Sequence, residues 1–213
     1  MSVLNSILKQ EMYGATAERM ILYRTLSPLL TEQFTSGNQE AKMAREGIIT
    51  FKGNPMSLEG EDLAVGSPAP NFELHYADAG IQTLTLEDVK GKPTLLSIVP
   101  SLDTGVCAIQ TKKFNEQIGS LKDQINAITV SRDLPFAQAR FCGAESIEMR
   151  TASDYQTHQF GTDFGVTIAQ LKLLTRAVFV LDPNGTVAYK EIVPEVTEEP
   201  DYAAALASLR MLI

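Results

Sequence analysis

An α/β fold with a mixed central sheet follows from three features of the sequence. Three short apolar runs, Pro93–Val99 (PTLLSIV), Ala127–Val130 (AITV) and Arg176–Leu181 (RAVFVL), carry no polar alternation. Strands buried on both faces read this way. Between the first two lies a helical stripe of Phe114, Ile118, Leu121 and Ile125, and between the second and third lies Pro135–Phe141 (PFAQARF), with proline suited to a first helical turn. After the third, Asp182-Pro183-Asn184-Gly185 turns the chain back through Thr186–Val193 as an antiparallel partner. The plan is strand, helix, strand, helix, hairpin, helix. It predicts parallel strands at the centre of the sheet and helices on both faces.

The remaining elements fit around that plan. Gly47–Lys52 (GIITFK) predicts a strand, Gly53-Asn54-Pro55 a turn, and Met56-Ser57-Leu58 a returning strand, so the domain opens on a hairpin. Asn71–Tyr76 (NFELHY) alternates with a period of two, as a half-buried strand does. Leu84-Thr85-Leu86 leads into Glu87–Gly91, a single helical turn closed by glycine. Pro200 starts a last helix with Tyr202, Leu206, Leu209 and Ile213 on one face.

Composition narrows the function classes. The 213 residues are 44% hydrophobic and 21% charged, in the range of a globular chain with a sizeable core. With 18 basic and 26 acidic residues the net charge is −8, which disfavours phosphate backbones and anionic lipid as partners. No apolar run approaches the roughly 18 residues of a membrane span. The two cysteines, Cys107 and Cys142, are too far apart for a C-x-x-C motif, and with His75 and His158 they show no metal-ligand spacing. His158 reads as an exposed helix residue without a role.

The first 42 residues are neutral, since Lys9, Arg19, Arg24 and Lys42 balance Glu11, Glu18, Glu32 and Glu40. The segment therefore carries none of the acidity. Its opening, MSVLNSILKQ, lacks the pattern of a signal peptide, and four acidic residues speak against a transit peptide. Pro28 interrupts a leucine stripe at 22, 26 and 29. Residues 1–46 are read as an N-terminal extension, either a loosely packed appendage or sequence upstream of a start at Met43. Residues 47–213 are read as one domain.

The chemistry concentrates where the strand Pro93–Val99 ends. Thr104 is a good N-cap for the following helix, so Gly105 and Val106 occupy its first two positions and Cys107 the third. Free backbone N–H groups and the positive end of the helix dipole favour an anionic sulfur there, and the thiolate is the reactive form. The C-terminal edge of such a sheet is also where α/β folds place their sites. On position alone, an ordinary buried thiol is an equally good reading of Cys107.

The motif separates the two. Pro100-x-x-x-Thr104-x-x-Cys107 resembles the P-x-x-x-T-x-x-C signature of the peroxiredoxins. The fuller run PSLDTGVCAIQTKKFN is similar to the thiol peroxidase branch of that family, the atypical two-cysteine peroxiredoxins. DLPFAQARFCGAE at 133–145, the stretch 176–182, EEPDY at 198–202 and TFKGNP at 50–55 resemble it too. The resemblance covers about residues 47–213 and implies a thioredoxin-like fold. It implies that Cys107 is the peroxidatic nucleophile, with Thr104 offering its hydroxyl to the sulfur and the bound peroxide. It implies that Arg176 stabilises the thiolate and the breaking O–O bond, that Pro100 shields the sulfur, and that the N–H groups of Val106 and Cys107 bind peroxide oxygens. Cys142 is implied as the resolving thiol, closing an intrachain Cys107–Cys142 disulfide that thioredoxin reduces.

Neither a metal nor an organic cofactor enters this chemistry. The branch implies a homodimer, and a cytoplasmic location is expected ahead of a periplasmic one. A peroxide sensor or relay using the same disulfide is the alternative, and a chaperone of this fold with 1–42 as its binding surface ranks below it. A disulfide needs Cα atoms within roughly 4.4–6.8 Å. Cys107 begins one helix and Cys142 ends another; if the reduced sulfurs lie too far apart, both helix ends must unwind before the bond forms.

Overall fold

The computed structural model describes residues 44–213. The expectations for residues 1–42, including a start at Met43, lie outside the described residues. Ten strands and four α-helices follow in order: β1 (Arg45–Phe51), β2 (Asn54–Glu59), β3 (Glu73–Ala77), β4 (Ile81–Thr85), β5 (Thr94–Ile98), α1 (Gly105–Gln117), β6 (Asn126–Ser131), α2 (Pro135–Glu145), β7 (Arg150–Ser153), α3 (Gln159–Asp163), β8 (Thr167–Ile168), β9 (Ala177–Leu181), β10 (Val187–Ile192) and α4 (Tyr202–Arg210). A 3-10 turn at Glu87–Val89 precedes β5, at the single turn the sequence predicts.

Seven strands form the main sheet in the order β10-β9-β5-β6-β7-β3-β4. The centre is parallel, β5 with β6 and β6 with β7, while β9 runs antiparallel to β5. All residues of β5 and β9 are buried, as continuous apolar runs predict. One face of the sheet packs Leu95, Val178 and Val180 against Phe114, Leu206 and Leu209 from α1 and α4. The other packs Leu96, Ile98, Ile128 and Phe179 against Phe160 and Phe164. Phe160 and Phe164 stack with ring centroids 4.3 Å apart, and Phe72 meets Phe160 edge-on at 5.8 Å.

The N-terminal hairpin belongs to a second sheet, β1-β2-β8. Its turn is Lys52-Gly53, one residue earlier than the sequence suggests, with φ of 51° and 76°. Two consecutive positive φ values are what a tight two-residue hairpin requires. β1 begins at Arg45, two residues ahead of the expected strand.

Four local expectations need correction. The helix carrying Phe114 stops at Gln117, and Ile118 is its C-cap. Gly119 and Ser120 follow, and a run of turns returns Leu121 and Ile125 to the same apolar cluster without an α-helix. The helix beginning at Pro135 runs four residues beyond Phe141, so Cys142 lies inside its last turn. The last helix is capped by Asp201, whose carboxylate accepts from Ala204 N at 2.9 Å, so Pro200 lies outside it. Ile213 lies beyond the end of that helix and is half exposed. His158 is exposed but is the N-cap of α3 in a left-handed conformation, φ 57°, so it is not a helix residue proper. The Phe164-Gly165-Val166 turn is a packing feature: at Gly165, φ 64°, a Cβ would lie 2.1 Å from Glu61 O.

Candidate active site

β5 delivers the chain to a loop, Val99–Thr104, and α1 starts at the end of that loop. Asp133, just before α2, holds the loop in place. Its carboxylate accepts from Ser101 Oγ at 2.7 Å, from Leu102 N at 2.8 Å and from Ser131 Oγ at 2.7 Å. Pro100 is buried within the loop. Cys107 is 1% exposed and packs with Val99 and Leu102, and the half-buried ring of Phe141 from α2 covers this group.

Thr104 has the extended backbone of an N-cap, but its hydroxyl does not cap. It lies 3.0 Å from Ser101 O and 2.8 Å from Cys107 Sγ. The helix's first i→i−4 bond is Ala108 N to Thr104 O at 3.0 Å, so the N–H groups of Gly105, Val106 and Cys107 precede the hydrogen-bonded ladder. The orphan donors that a capping side chain would ordinarily satisfy are left facing the sulfur's end of the helix. Negative charge is favoured at that end.

Arg176 is the last residue before β9 and is 2% exposed. A buried guanidinium is costly unless each part of it is paired. Nε donates to Val196 O at 2.9 Å, one terminal nitrogen donates to Gln110 Oε1 at 2.7 Å, and the other lies 3.4 Å from Cys107 Sγ. These partners are a carbonyl, an amide and a thiol, with no carboxylate among them. The Glu199 carboxylate feels the Arg176 charge without bonding to it, so among the described residues no contact ion pair neutralises the guanidinium and its charge is available to an anion at Cys107 Sγ.

Gln110 is a site residue that sequence reasoning missed. It is fully buried one turn after Cys107, and its Nε2 donates to Ser97 Oγ at 2.8 Å while Oε1 accepts from Arg176. The signal was available: residues 107, 110, 111 and 114 form the inward face of α1, and a glutamine on such a face needs fixed partners.

The structure brings Pro100, Thr104, Val106, Cys107 and Arg176 to one end of α1. Cys142 stands apart from them. It lies on α2, half-buried, with its sulfur 3.5 Å from Thr151 Oγ1 on β7. Burial pushes the Cys142 thiol up from its ordinary range, against a smaller opposing contribution from the Thr151 hydroxyl. Both thiols are free. Among the described residues no cluster of three His, Cys, Asp or Glu is arranged to hold a metal, and no helix is long and apolar enough to cross a membrane.

A buried cysteine in the first turn of a helix faces a threonine hydroxyl and a buried arginine at the end of a central strand of a thioredoxin-like sheet, and this is the class of fold the comparisons return. The Redoxin family profile matches residues 64–206. The chain is 47% identical over 166 residues to a thiol peroxidase of Bacillus subtilis, covering 78% of this chain and 98% of that one. It is 49% identical over 163 residues to a thiol peroxidase of Halalkalibacterium halodurans, covering 76% and 96%. A peroxiredoxin-like protein from Aquifex aeolicus has a similar solved structure, with a TM-score of 0.72 at 38% identity, covering 79% of this chain and 99% of that one. The chain belongs to the thiol peroxidases of the peroxiredoxin, or redoxin, family.

Proposed function

We propose that the protein reduces hydrogen peroxide and organic hydroperoxides through Cys107, with Cys142 as its internal reductant. The carrying observation is the buried Arg176 guanidinium, which points a terminal nitrogen at Cys107 Sγ from 3.4 Å while Thr104 Oγ1 approaches the same sulfur at 2.8 Å. The Cys107 thiolate attacks one peroxide oxygen. The S–O bond forms as the O–O bond breaks, and the departing oxygen takes a proton and leaves as water or alcohol. Arg176 and the N–H groups of Val106 and Cys107 stabilise charge on the breaking bond. Thr104 orients the bound peroxide, and Pro100 keeps bulk water from the sulfur.

The Cys142 thiolate then attacks the Cys107 sulfenic acid. The S–S bond forms, the S–O bond breaks, and hydroxide leaves to be protonated to water. A thioredoxin dithiol reduces the resulting disulfide. Phe141 covers Cys107 while Cys142 faces Thr151, so this step needs the end of α2 to open. A homodimer in a bacterial-type cytoplasm completes the reading.

The test is peroxide consumption coupled to thioredoxin, with hydrogen peroxide and a bulky alkyl hydroperoxide in excess. The wild type turns over many times. Cys107→Ser consumes nothing, and Cys142→Ser reacts once and stalls as a sulfenic acid that over-oxidises. Full turnover by Cys142→Ser would remove it from the resolving role.

A further inference from the structure

α2 is a mostly exposed helix. Of its eleven residues only Pro135 and Gln138 are buried, and the Oε1 of Gln138 finds no partner among the described residues. Phe136 and Leu134 at its start are mostly exposed. Its C-cap, Ser146, takes a left-handed conformation, φ 55°, without being glycine. Gln138 Nε2 donates to Ser131 Oγ at 2.9 Å and to Ala152 O at 3.1 Å, and Glu145 pairs with Lys112 of α1, so a few polar contacts rather than apolar burial hold the helix. An element with so little buried apolar surface is among the first to open locally.

Beneath it runs a row of hydroxyls. Ser97, Thr129 and Thr151 are register partners across β5, β6 and β7, so their side chains share one face of the sheet. The outer two are engaged, Ser97 by Gln110 Nε2 at 2.8 Å and Thr151 by Cys142 Sγ at 3.5 Å. Thr129 between them is fully buried, and its hydroxyl finds no partner among the described residues. A buried hydroxyl left unpaired is costly.

We propose that Thr151 is a two-position hydroxyl that releases Cys142 by exchanging it for Thr129. With Cys142 docked, Thr151 is occupied by a long contact to sulfur and Thr129 is stranded. With Cys142 gone, Thr151 turns to Thr129 on the neighbouring strand, whose backbone lies about 4.8 Å away. One weak contact is lost, one O–H···O bond is made, and no hydroxyl is orphaned. The stranded group therefore biases α2 toward the open conformation that Cys142 needs. Thr151 touches a reacting sulfur, and Thr129 is a positioning residue acting through it. The importance of this exchange for turnover rests on the resolving role of Cys142, but the exchange itself does not.

The test separates the two. In reduced protein carrying Cys107→Ser, the rate at which a maleimide labels Cys142 reports its release without peroxide. Thr129→Val is expected to slow labelling by about fivefold, the cost of a single unpaired hydroxyl having been removed from the docked form. Thr129→Ser keeps a hydroxyl and labels like its parent. Thr151→Val also slows labelling, because Thr129 is then unpaired in both conformations. The double variant is no slower than either single, since the two residues act as a unit. Labelling of Thr129→Val as fast as the parent, or single effects that multiply in the double variant, overturns the proposal. Thr129→Ala carries the same expectation if circular dichroism shows the valine variant unfolded. In the otherwise wild-type enzyme, Thr129→Val should slow disulfide formation and leave the first oxidation of Cys107 unchanged. Slowed labelling with no effect on peroxide turnover would leave the exchange standing and count against Cys142 as the resolving thiol.

Discussion

The two sulfurs of this protein sit in opposite kinds of surroundings. Cys107 is in the first turn of a helix, under Phe141, with a hydroxyl and a guanidinium aimed at it. Cys142 is in the last turn of a helix, where the dipole disfavours negative charge, half-buried, with one long contact to a hydroxyl. The first environment is fixed by groups tied down elsewhere: Arg176 by Val196 and Gln110, and the preceding loop by Asp133. The second is loosely held. On the proposed roles of the two sulfurs, the difference is a division of labour. Attack on a small, mobile peroxide needs a preorganised sulfur, whereas attack on another sulfur of the same chain needs one that can travel.

The sharpest way to break the comparison is at the guanidinium. Arg176→Met should slow the reaction of Cys107 with peroxide by roughly two to three orders of magnitude, read as the second-order rate of the first oxidation. Disulfide formation, once the sulfenic acid exists, should change far less. Equal losses in both steps would mean that Arg176 serves the fold and not the peroxidatic sulfur.

A smaller effect is expected one contact further out. Gln110→Leu removes the acceptor at 2.7 Å and leaves Arg176 anchored only through Nε, with its terminal nitrogens less well aimed. The same rate should fall by about tenfold, with stability reduced as well. Arg176→Met and Gln110→Leu combined should be little worse than Arg176→Met alone, because Gln110 acts through the arginine.

The mildest test uses pH. Burial raises the Cys142 thiol above its ordinary range, so its thiolate grows only as pH rises through and beyond that range. Disulfide formation should accelerate continuously between about pH 6 and about pH 9. A rate independent of pH over that span would place the limiting event in the opening of α2 rather than in the attacking sulfur.

Much of this was legible in the residues. The runs of β5 and β9, without polar alternation, read as central strands, and Thr104 marked the start of α1 correctly. The short elements were not legible. β7 is four residues, RTAS, and is buried by its neighbours rather than by hydrophobic content. α3 is one turn and a half, and its Phe160 and Phe164 look like isolated apolar residues until the sheet is present to receive them. Leu121 and Ile125 share a helical spacing with Phe114 yet reach the core through turns, because apolar spacing reports which residues go inward and not the backbone path they take. At the site, the local chemistry of Cys107 followed from helix-capping rules. Arg176 and Cys142 could be named only from family resemblance, since their approach to α1 depends on tertiary packing that no local pattern encodes. Thr151 gave no signal, because a threonine in a short strand is unremarkable until a sulfur is found against it.

One feature of the first hairpin reaches further than its position suggests. The Glu195 carboxylate accepts from Thr197, from the amides of Gly53 and Lys52, and from Thr50 Oγ1, and the bonds from Thr197, Gly53 and Thr50 hold it well below the usual carboxylate range. Its neighbour Val196 lends the carbonyl that anchors Arg176 Nε, and Val196 N in turn donates to Thr50 O. The tip of an exposed hairpin is thus joined to the guanidinium by hydrogen bonds at each end of the Glu195–Val196 peptide link. On the proposed role of Arg176, damage at Lys52 or Gly53 would be felt as a blunted reaction with peroxide as well as in stability.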